Sequence, residues 1–160
     1  MTKHPALDVA LWFLAKNQQA LREYDEDMIS NLKLQKLLYY AQGAFLGVYG
    51  KPLFSEDIEA WQHGPVVSPI YHTFKHFGNK GIDFDQVVDE LSIAQNPMEL
   101  FSPDETELLE SIYENFGQYS AWKLRNMTHA EDPWLKTPPD QVIGNNLIAT
   151  YFAQNYVEEA

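Results

Sequence analysis

The pattern of apolar positions is strongest between residues 31 and 49. Leu34, Leu37, Leu38, Ala41, Phe45 and Val48 follow the i, i+3, i+4, i+7 spacing of one helix face. The other faces are hardly polar, and Tyr39 and Tyr40 add aromatic bulk. A helix apolar nearly all round belongs inside a domain, with neighbours on several sides. Gly43 and Gly47 each cost it roughly 1 kcal/mol relative to alanine, which points to close approach by another backbone. Ser30 or Asn31 is expected to cap its start. Gly50 supplies a left-handed stop, and Pro52 forbids continuation.

Weaker patterns flank this helix. Leu7, Leu11, Trp12 and Leu14 predict a first helix over residues 7 to 19, followed by a polar, acidic loop over 23–27. Past residue 52 the period changes: Ile58 and Ala60 fall on one side and Glu59 and Trp61 on the other, as in a short strand or extended return. His63-Gly64-Pro65 turns the chain. Ser68-Pro69 resembles a cap followed by a first-turn proline, opening a helix with Ile70, Phe74 and Phe77 on one face.

Residues 79–101 are the least regular, with Ile82, Phe84, Val87, Val88 and Leu91 fitting a short strand and a helical turn before Asn96-Pro97. Ser102-Pro103-Asp104-Glu105 is a strong helix start, carried on by Leu108, Leu109, Ile112 and Phe116. Ser120 caps a short helix containing Trp122 and Leu124. Residues 129–134 form a compact turn or short helix, and Asn145 or Asn146 opens a final helix bearing Leu147, Ile148, Tyr151 and Phe152. The expected architecture is mainly α: one compact domain over residues 1–160, built around a central buried helix, with a short β strand or hairpin element after it.

Composition narrows the function. At 160 residues with 45% hydrophobic content, the chain can bury one sizeable core. No apolar run reaches the roughly 18 residues of a membrane span, and Asp8 interrupts the apolar N-terminal run, which reads as a helix and not as a signal peptide. The absence of cysteine excludes disulfides, thiolate nucleophiles and zinc–thiolate sites, and it fits a reducing, cytoplasmic setting. Twenty-three acids against eleven bases give a net charge of −12. Between residues 82 and 115 there are ten acids and no Lys or Arg. Such a surface disfavours nucleic acid, which needs a basic footprint. It serves solubility, or it steers a basic protein partner.

Catalytic chemistry finds little purchase. His72 and His76 share a helix face at i, i+4, but a metal site needs a third ligand, and there is no HExxH. His129 with Glu131 and Asp132 could pair a base with an orienting acid, yet no GxSxG or Cys supplies a nucleophile. The alternative is a turn held by these groups and plugged by Trp134. No phosphate-binding glycine motif occurs. Trp61, His63, Gly64 and Pro65 are the most unusual cluster: an aromatic contact surface beside a rigid turn, or a core tryptophan with a histidine bonded to the turn.

Longer motifs carry a resemblance. Leu34-Gln35-Lys36-Leu37-Leu38-Tyr39-Tyr40-Ala41-Gln42-Gly43, then Pro52-Leu53-Phe54, then Ile58-Glu59-Ala60-Trp61-x-x-Gly64-Pro65-Val66-Val67 occur in family order. Thr128-His129-x-Glu131-x-Pro133-Trp134 and a closing Ile143…Tyr151-Phe152 follow. Together they resemble the Panacea antitoxin domain family of phage-associated GepA/SocA-like proteins. His63 departs from the aromatic that often precedes Gly-Pro there. The resemblance implies a helical domain, with no catalytic activity and no cofactor or metal, that neutralises a toxin encoded beside it by direct contact. It also implies an alternative, an adaptor delivering the toxin to a ClpXP-type protease; a His-dependent metal hydrolase is the rival from another class. The expected partner-binding residues are Trp61, His63, Gly64, Pro65, His129 and Trp134, with no role for nucleic acid or membrane.

Overall fold

The computed structural model describes residues 3–24 and 27–157. Helix α2 (Asn31–Tyr49) is the axis of the domain. Ser30 caps it, its hydroxyl accepting from the Lys33 amide at 3.2 Å, and Gly50 closes it in the left-handed conformation at φ 68°. Around it pack α1 (Ala6–Tyr24), α5 (Pro103–Phe116), α6 (Ala121–His129) and, most extensively, α8 (Asn145–Asn155). The first helix runs further than its apolar pattern suggested. Of the acidic loop expected at 23–27, residues 25 and 26 lie outside the described residues. No described helix is long and apolar enough to cross a membrane.

The chain leaving α2 returns as the hairpin β1 (Ile58–Trp61) and β2 (Gly64–Val66), paired antiparallel with Trp61 opposite Gly64. The two-residue strand β3 (Val142–Ile143) adds to the other edge of β1, giving the order β2-β1-β3. No sequence pattern announced β3, because two residues are too few to show alternation. Helix α3 (Ser68–Phe74) starts at Ser68 itself, whose side chain makes no cap bond; Val67 holds that position. It continues as a 3₁₀ turn over Lys75–Phe77. Residues 79–101 hold no strand of their own: α4 (Phe84–Leu91) is a helix, followed by a 3₁₀ turn at Pro97–Glu99. The capping box at Ser102 and Glu105 forms as its residues predict.

Helix α2 is less uniformly apolar in role than its composition suggests. Asn31, Gln35, Lys36 and Gln42 are all buried, and each bonds the main chain of the segment that follows the helix. The Gln42 amide accepts from the Leu53 and Phe54 amides at 2.8 and 3.1 Å and donates to the Phe54 carbonyl at 2.9 Å. Gln35 accepts from the Val67 amide at 2.9 Å and donates to Asn31, which donates to the Tyr71 carbonyl at 3.0 Å. The Lys36 ammonium donates to the Pro65 carbonyl at 3.0 Å. Buried backbone groups need partners, and this helix supplies them to the segment from Leu53 to Tyr71 that contains the hairpin.

Candidate functional site

The hairpin turn at residues 62–63 rests on α2 and α6. Gly64 has φ 110°, a region that L side chains rarely adopt, and a Cβ there would lie 2.8 Å from both Lys36 Cε and Thr128 Oγ1. Backbone conformation and crowding therefore both require glycine. Gly64 and Pro65 are buried, so they shape the turn without presenting a side-chain surface. Trp61 is half-buried, its indole donating to Glu59 at 2.9 Å with the ring edge against Tyr71. His63 is exposed.

Helix α7 (Asp132–Leu135) brings the C-terminal motif to the same place. The Trp134 indole donates to the Trp61 carbonyl at 2.8 Å, and the His129 ring stacks on Trp134 at 4.0 Å and 13°. His129 bonds the Gln62 backbone. Burial, and after it the Arg125 charge, holds its imidazole below the ordinary range. All six residues singled out in the sequence are thus gathered around one turn.

Helix α6 adds two residues that the sequence pattern did not select. Arg125 Nε donates to His63 Nδ1 at 3.2 Å, and its guanidinium lies 4.3 Å over the Trp122 ring. Trp122 is 57% exposed, the most exposed large apolar side chain among the described residues. Its position off the buried Leu124–Thr128 face of α6 was the available signal. Trp61, His63 and Trp122, with Leu32, Gln35 and Tyr71, line a groove of about 650 Å³.

Glu131 does not orient His129. Its carboxylate turns inward and accepts the hydroxyls of Tyr39 at 2.9 Å, Tyr40 at 3.0 Å and Tyr156. Burial holds this carboxyl above its ordinary range although three hydroxyls pull the other way. Burial and the neighbouring carboxylate keep the Tyr39 and Tyr40 phenols far above theirs. The cluster ties α2, α7 and the end of α8 together. His76 pairs with Glu90 at 2.9 Å on the surface, and His72 sits edge-on to Trp61 and Tyr71. Among the described residues no group of three or more His, Asp or Glu is placed to hold a metal.

This is a helical domain that grips a short hairpin and displays an indole–guanidinium–imidazole surface beside a groove. The chain belongs to the family described as Antitoxin SocA-like, Panacea domain, which matches residues 34–135. It is 38% identical over 112 residues to Antitoxin SocA of Caulobacter vibrioides (strain NA1000 / CB15N), across 66% of this chain and 58% of that protein. It therefore spans little more than half the length of that relative. No solved structure matches significantly.

Proposed function

We propose that the protein is a non-enzymatic antitoxin, which neutralises a protein toxin encoded nearby by direct contact and needs no cofactor. The contact runs over Trp61, His63, Trp122 and Arg125, with Gly64, Pro65, His129 and Trp134 holding the turn in shape. The setting is the cytoplasm of a cell carrying phage-associated genes. The observation that carries the contact surface is the exposed Trp122 with Arg125 over its face beside a groove. Trp and Arg are the residues that most often dominate interface energies. The family, and a relative named as an antitoxin, support the role.

Co-expression with the neighbouring open reading frame tests the role. The expected result is restored growth and co-purification; a product that neither kills alone nor binds overturns it. Trp122→Ala tests the surface. It should cost about 2 kcal/mol of binding, roughly 30-fold in Kd, with the thermal midpoint unchanged. Unchanged affinity removes Trp122 from the contact. The toxin's half-life in a strain lacking the ClpXP-type protease separates inhibition, which leaves it unaltered, from delivery for degradation, which requires the protease.

A further inference from the structure

A second groove opens at the other end of α2. It lies between the last turn of that helix, α5 and α8, encloses about 720 Å³, and is floored by Val48, Phe116, Phe152 and Tyr156. Val48 is 51% exposed and Tyr156 40%, so among the described residues apolar surface here meets solvent. Asp104 and Glu107 stand on its wall, and no Lys or Arg lines it. The acidic field reaches its rim: after burial, the charges of Asp104, Glu107 and Glu105 hold the Tyr49 phenol above its ordinary range. Rings with exposed faces attract cations, and Lys123 already sits 6.0 Å over the ring of Tyr119, another lining residue. Asp104 and Glu107 are two of the ten acids carried by residues 82–115, a stretch with no base.

We propose that this groove is a second docking surface, for a basic amphipathic helix of a protein partner. Apolar side chains at one-turn spacing seat on Val48, Phe116 and Tyr156, while Lys or Arg side chains reach Asp104 and Glu107. The groove beside Trp61 differs in charge: Lys75 and Asp140, one of each sign, line it, and Arg125 bonds its His63. The proposal stands whether or not the protein is an antitoxin.

The test uses a labelled peptide of roughly 16 residues, with Leu at i, i+3, i+4 and i+7 and Lys or Arg elsewhere, titrated with the whole chain by fluorescence anisotropy. A scrambled peptide of equal composition and spermine serve as controls. The periodic peptide should bind at least about tenfold more tightly than the scrambled one. Asp104→Asn with Glu107→Gln, and separately Val48→Asp, should each weaken it about tenfold or more. Asp89→Asn with Glu99→Gln, an equal charge change elsewhere on the acidic stretch, should leave it within about twofold. Unaltered circular dichroism establishes that each variant is folded. Equal binding of the scrambled peptide, equal effects of the two charge pairs, full displacement by low spermine, or no binding at about 1 mM peptide overturns the proposal.

Discussion

Lys36 shows how much a single polar residue inside the core can govern. Its side chain is fully buried beneath the hairpin, and burial, with the Arg125 charge after it, lowers its pKa from 10.5 to about 7. Between those two values the unfolded chain holds a proton that the folded chain has released. Stability must therefore rise with pH across this window, by on the order of 1.4 kcal/mol per unit from this group alone, and level off below it. Lys36→Met should abolish that rise. Urea midpoints from about pH 6 to about pH 10 measure it, and parallel curves for the two proteins would remove the assignment. None of this was legible in the sequence. A lysine between apolar helix positions looks like a solvated head group, because spacing says nothing about a backbone carbonyl 29 residues onward. Glu131 was obscured in the same way: its neighbours in sequence are His129 and Asp132, but its partners in space are three tyrosines.

At the scale of elements, the apolar period and the stop signals located most of the fold. Leu34 to Val48 traced one helix and Gly50 ended it, since both depend only on local geometry. The caps at Ser102 and Ser120 were equally plain. What stayed hidden depends on tertiary pairing: β3 exists because Ile58 and Glu59 offer it an edge, and α4 is a helix of mixed composition in a stretch that also suited a strand. Gly43 was expected to admit a backbone; it admits the ring of Phe152, whereas Gly47 does meet the backbone of α8 at Ala153. A Cβ at Gly43 would overlap that ring, so Gly43→Ala should destabilise the domain by about 1–3 kcal/mol despite its better helix propensity. Adding Phe152→Leu should recover part of the loss relative to the sum of the single variants. Strict additivity in a double-mutant cycle by denaturant unfolding would show that the two sites do not meet.

Across the whole molecule, α2 borders two grooves of different charge. Its first turns border a groove with aromatic groups and charges of both signs, Lys75 and Asp140, and its last turn borders one with aromatic groups and carboxylates alone. A helix of 19 residues is about 28 Å long, so one partner could meet both only by wrapping around the domain. The site residues found in the sequence converged because the hairpin and α7 meet on α6. Trp122 and Arg125 were missed because no spacing rule joins a residue to a turn some 60 positions before it. Under the proposed function, a net charge of −12 should steer association with a basic toxin over distance. Its association rate should fall by about tenfold or more between low salt and about 0.5 M salt, with dissociation much less affected. A rate indifferent to salt, measured by stopped flow, would mean that the acids serve solubility alone.

The four polar side chains of α2 that fasten the segment from Leu53 to Tyr71 bond its amides and carbonyls, never its side chains. Main-chain atoms are the same in every residue but proline, so substitutions at Trp61, Gln62, His63 or His72 should change what the surface displays while the fastening persists. One helix thus holds the shape of the segment through its main chain, independently of the side chains that the segment displays.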